Sequence, residues 1–141
     1  MGTRESDPGG MTRLLQGREA IAQASEAARE FAEAQWLTED ESARLSIIIE
    51  ELIANLYDHG GLTNDDRVEL SFGSEPGGVR IVIVDPGAPF DPRSAPPESK
   101  RPERGGGAGI EIVRAWAEFV DYALTEDGNR LELLLPIGLQ G

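Results

Sequence analysis

Six large aliphatic residues, Leu45, Ile48, Ile49, Leu52, Ile53 and Leu56, recur three and four positions apart within one short stretch of the chain. At 100° per residue, with Glu51 set at 0°, they fill a helical arc from about 60° to about 200°. So wide an apolar face must lie against a second layer. Thr38 followed by Glu41 is a capping-box signature for the start of this helix, and Gly60-Gly61 stops it after about Tyr57. Any fold for the chain has to supply the surface that covers this helix.

The remaining pattern supplies one. Ile21, Ala24, Ala28 and Phe31 keep helical spacing and predict a helix over roughly 17–36. Val68–Phe72 alternates apolar and polar residues, residues 74–78 are turn chemistry, and Val79–Val84 is β-branched. These predict an antiparallel hairpin. Ile110, Val113, Trp116, Ala117 and Val120 mark a third helix, while Val120–Leu124 and Leu131–Leu135 flank a turn around Gly128 as a closing hairpin. The expected fold class is therefore α+β, a two-layer sandwich. A mixed, mostly antiparallel sheet would be covered on one face by three helices. Residues 1–10 lack an apolar pattern and are expected to be a disordered leader, with 11–141 a single domain.

Composition removes several function classes. A net charge of −13 argues against a general basic surface for nucleic acid. There is no cysteine, so disulfides and zinc-thiolate sites are excluded, and the lone histidine, His59, leaves little scope for a His-based metal cluster or a Ser-His-Asp triad. No apolar run has the length of a membrane span, and the start has no signal-peptide core. A cytoplasmic protein is the expectation.

Polar residues with chemical potential sit beside the apolar arc. Asn55 falls about 40° from Glu51 and Asp58 about 20° to its other side, whereas Glu50 points elsewhere. A carboxylate and a carboxamide one turn apart suit a hard divalent cation and an activated hydroxyl. Taken alone, the stripe reads first as the solvated edge of an amphipathic helix. Asp85-Pro86-Gly87 ends an apolar strand, where a carboxylate can accept from an exocyclic amine and a glycine leaves room for a flat base; an ordinary turn has the same residues.

Gly105, Gly106, Gly107 and Gly109 lead into the third helix, where backbone N–H groups can approach an anion. Upstream, Arg93, Lys100, Arg101 and Arg104 oppose only Glu98 and Glu103. That segment reads either as a phosphate lid or as a mobile linker with a glycine hinge. The glycines follow a proline-rich loop, not a strand, so a Rossmann fingerprint fails, and no Gly-Lys-Ser/Thr follows for a Walker loop.

In order and at these separations, Glu51 to Gly60, Asp85 to Pro92 and Gly105 to Arg114 resemble the asparagine box and two glycine boxes of the GHKL (Bergerat-fold) ATP-binding family. The resemblance extends over roughly residues 14–136. It is nearest to stand-alone anti-sigma-factor serine kinases. It implies ATP and Mg²⁺ as cofactors, with Asn55 coordinating the Mg²⁺ that bridges the phosphates and Glu51 as general base toward a substrate serine. Asp85 would take the adenine amine, Gly87 would make space beside the base, and Gly105, Gly107 and Gly109 would wrap the phosphates. Arg101 or Arg104 would reach the γ-phosphate, and His59, on the apolar arc, would be a packing residue.

The resemblance further implies a STAS-domain anti-anti-sigma protein as substrate, a sigma factor as a second partner, and a homodimer. The closing strand from Asn129 to Leu133 lacks the threonine that many relatives place near adenine, so water or backbone is expected to serve there. No phosphoacceptor-histidine hairpin precedes the domain, so a complete sensor histidine kinase is not expected. Neither is the length that gyrase- or chaperone-type transducer domains require. A rival from another class is a nucleotide-gated protein-binding module with little or no phosphotransfer. A third is a domain serving a phosphatase or a sensory cascade unrelated to sigma factors.

Overall fold

The computed structural model describes residues 10–89 and 108–138. Along the chain run β1 (Gly10–Gln16), a 3₁₀ turn (Gly17–Glu19), α1 (Ala20–Ala34), α2 (Glu39–His59), β2 (Arg67–Glu75) and β3 (Gly78–Asp85). After the gap come α3 (Ala108–Trp116), β4 (Glu118–Thr125) and β5 (Gly128–Pro136). The strands form one sheet in the order β1-β2-β3-β5-β4, and every pairing is antiparallel. The sheet is thus wholly antiparallel among the described residues, where a mixed one was expected. The α+β sandwich itself stands.

Alternation explains the layering. Val79, Ile81 and Ile83 on β3, and Leu131, Leu133 and Leu135 on β5, are buried at every second position. They face α2, whose Leu45, Ile48, Ile49, Leu52 and Ile53 are buried as the apolar arc requires. α1 presents small residues, Ala20, Ala24, Ala27 and Ala28, and then Phe31, whose ring stacks on Phe72 of β2 with centroids 5.1 Å apart. The opposite face of the sheet is mixed: Val82, Val84 and Leu134 are half-buried there, and Glu132 pairs with both Arg80 and Arg130.

The capping box forms as the sequence indicates. The Glu41 N–H donates to Thr38 Oγ1 at 3.1 Å and the Thr38 N–H to Glu41 Oε1 at 2.9 Å. The other Glu41 oxygen accepts from the Gly138 N–H at 2.9 Å, tying the segment after β5 to the start of α2.

Two expectations need correction. Gly10 opens an edge strand instead of belonging to a leader; β1 went unread because only Leu15 of its seven residues is buried. Val120 lies in β4, since the third helix ends at Trp116, and its side chain is exposed, at a register irregularity between Phe119 and Asp121.

Candidate nucleotide site

Asp85 is the last residue of β3 and shares its inward parity with Ile81 and Ile83, so its side chain faces the helical layer at only 5% exposure. One carboxylate oxygen, Oδ1, accepts from the Gly87 N–H at 2.8 Å and from the Asn129 amide at 3.1 Å. No described residue donates to the other, Oδ2. A buried carboxylate with half of its acceptor capacity unmet calls for a donor from beyond the described residues.

The turn after Asp85 depends on two glycines. A Cβ on Gly87 would run into the carbonyl oxygen of Gly60, at the end of α2, and would crowd Leu62 and Asp85. Gly128 holds φ at +126° with its Cα against the Asp85 carbonyl, and only glycine fits both conditions. These close approaches bring the β4–β5 hairpin and the end of α2 onto the same strand end.

Opposite stands α2. Asn55 and Asp85 line one small cleft, walled by Leu52, Leu56, Ile83, Tyr122 and Leu131. An apolar wall with a few polar groups is what a flat heteroaromatic ring needs. The Asn55 carboxamide makes no hydrogen bond to a described residue. Glu51, one turn back, is half-buried but is not among the residues lining this cleft. Glu50 is half-buried too, so exposure does not separate the two glutamates.

The donor chemistry fits Mg²⁺ only in a particular way. No cluster of three or more acids or histidines that could cage a metal occurs among the described residues. Asn55 offers one hard oxygen, which suits an ion that keeps its waters and takes its other ligands from phosphates.

Gly109 lies in the first turn of α3, so the glycine run leads into that helix as expected. Phe90, Asp91, Arg93, Lys100, Arg101, Arg104, Gly105, Gly106 and Gly107 lie outside the described residues, as does the side chain of His59. The lid and the packing role of His59 therefore have no structural reading.

Asn129 is the residue that sequence reasoning passed over. Asn129, 5% exposed and directly opposite Asp85 across β3–β5, bonds the acid through its side chain. Its neighbourhood reads as turn chemistry. The available signal was its alternation with Leu131, Leu133 and Leu135, which marks it as an inward polar residue.

Residues 16–135 match the sequence profile of the histidine kinase-like ATPase domain. Among solved structures, the catalytic domain of the histidine kinase ThkA, in a nucleotide-free form, superposes with a TM-score of 0.51 at 13% identity, covering 90% of this chain and 97% of that one. At such identity the likeness concerns the fold. None of the curated proteins matches the chain.

Proposed function

The chain belongs to the histidine kinase-like ATPase domain family, and on that premise we propose that it is a Mg-ATP-dependent protein serine kinase acting on a STAS-domain antagonist. The observation that carries the nucleotide part is Asp85: buried, held through one oxygen, and open at the other across a cleft from Asn55. An adenine 6-amino group would satisfy Oδ2, and Gly87 would leave room for the ring. Asn55 would hold Mg²⁺ against the phosphates, Gly105, Gly107 and Gly109 would supply N–H groups to them, and Arg104 would meet the γ-phosphate.

Phosphoryl transfer rests mainly on positioning and charge neutralisation, which bound Mg²⁺ would supply at the phosphate oxygens. Glu51 would accept the proton of the attacking serine hydroxyl, its reach set by the helical turn it shares with Asn55. A homodimer that also sequesters a sigma factor in the cytoplasm completes the proposal. No helix among the described residues is long and apolar enough to cross a membrane.

One observation favours a second reading. Glu51 stands outside the lining of the cleft, which suits a module whose nucleotide occupancy alters a protein interface without rapid transfer. Incubation with radiolabelled ATP, Mg²⁺ and a STAS-domain protein separates the two. A labelled serine on the partner supports the kinase, and ATP-dependent association without label supports the module.

A further inference from the structure

We propose that Asn129, held by Tyr122, aims the Asp85 carboxylate at the base and thereby sets a preference for 6-amino over 6-oxo purines. The inference rests on reading this cleft as a nucleotide site. Asp85, Asn129 and Tyr122 stand on three neighbouring strands, β3, β5 and β4. Asp85 and Asn129 are register partners, and Tyr122 is opposite Leu131, the next inward position along β5.

The orientation of the Asn129 amide follows from its neighbours. Its Oδ1 accepts from the Tyr122 hydroxyl at 2.9 Å. Its Nδ2 donates toward Asp85 Oδ1 at 3.1 Å, the Gly87 carbonyl at 3.0 Å and the Ala88 carbonyl at 3.3 Å. Turned over, the amide would set its oxygen against three other oxygens. Two N–H groups shared among three acceptors leave no donor for a ligand, so Asn129 acts through Asp85. It is a positioning residue.

The consequence falls on Asp85. Donors on Oδ1 from the turn and from the facing strand fix the carboxylate plane and leave Oδ2 as the acceptor for the base. A 6-amino group donates to it. A 6-oxo group would place a second acceptor there and leave both unpaired, the situation in which polar sites discriminate most strongly. A threonine in place of Asn129 could donate through one hydroxyl only. The carboxamide also gathers the Gly87 and Ala88 carbonyls, so one side chain orients the acid and holds the turn beside the base.

Removing the Tyr122 hydroxyl takes the donor away from Asn129 Oδ1 and loosens the amide while leaving the aromatic wall in place. The test is calorimetric titration of the full chain, Tyr122→Phe and Asn129→Thr with Mg-ATP and with Mg-inosine triphosphate, with circular dichroism melts confirming folding. The expected result is a wild-type preference for ATP that Tyr122→Phe reduces by about 3- to 10-fold, chiefly through weaker ATP binding. Asn129→Thr, which retains one donor toward Asp85, should keep part of the preference. An unchanged ratio, or equal loss for both nucleotides, overturns the relay, because a structural role alone weakens both alike. A wild-type chain that binds ATP without discriminating also overturns it. A wild-type chain that binds neither nucleotide overturns the reading of the cleft itself.

Discussion

The Ala88 N–H donates to the Gly60 carbonyl at 2.8 Å, so the last turn of α2 is bonded to the turn that follows β3. Gly60 in turn donates to Leu56 at 2.8 Å, which makes the helix that carries Asn55 and the loop that holds Asp85 one connected unit. The approach is possible because Gly87 has no Cβ. Gly87→Ala forces backbone against backbone, and misfit of this kind costs about 1–3 kcal/mol. The variant should show a lower denaturant midpoint together with weaker ATP binding by calorimetry. A midpoint and affinity equal to wild type would mean that the two segments can separate without consequence.

Asn55 is the one carboxamide that α2 presents to the cleft, and no described residue occupies it. If its oxygen holds Mg²⁺ on the phosphates, Asn55→Ala should reduce Mg-dependent ATP affinity by about tenfold. Binding measured in chelator should hardly change. The comparison of the two conditions is the informative quantity, and an identical magnesium dependence in the variant would remove the metal assignment.

Glu51→Ala should behave differently. The side chain lies away from the cleft lining, so ATP affinity should stay near wild type. Phosphotransfer to a STAS-domain substrate should fall about 100-fold or more, as expected for loss of a positioned base. Undiminished transfer would disqualify Glu51 as the base, and the same variant at Glu50 serves as the control, since both are half-buried.

The elements legible in the sequence were those with a strong period. The α2 arc, the Thr38–Glu41 cap and the β2–β3 hairpin each rest on spacing that one layer of packing preserves. Asp85 was legible only in company, because Asp-Pro-Gly at a strand end is ordinary turn chemistry until it is set in order with the asparagine box and the glycine run. β1 was not, because an edge strand buries too little to show alternation: Leu15 alone is buried there, and Leu14 is exposed. Asn129 was hidden for another reason. Its role depends on register with Asp85, a residue far away along the chain, and no local pattern records which strands become neighbours. Tyr122 is hidden in the same way, since its hydroxyl has a purpose only once Asn129 is opposite the acid.

Glu41 gives a pH-dependent test of how the chain end is fastened. Its carboxyl is held below the usual glutamate range, first by the Thr38 backbone N–H, then by the Gly138 N–H and the Thr38 hydroxyl, with Arg44 adding a favourable charge and burial opposing the shift. A carboxyl whose folded pKa is depressed contributes stability above its unfolded pKa, roughly 4.3, and loses that contribution as pH falls through the folded value. Glu41→Gln removes the charge and leaves a single acceptor oxygen for the two N–H groups that Oε1 and Oε2 now serve. Thermal melts of wild type and Glu41→Gln should therefore differ most near neutral pH and draw together as pH falls from the unfolded value through the lower folded one. Melting curves separated by the same interval across that range would show that the Glu41 charge does not fasten the end of β5 to α2.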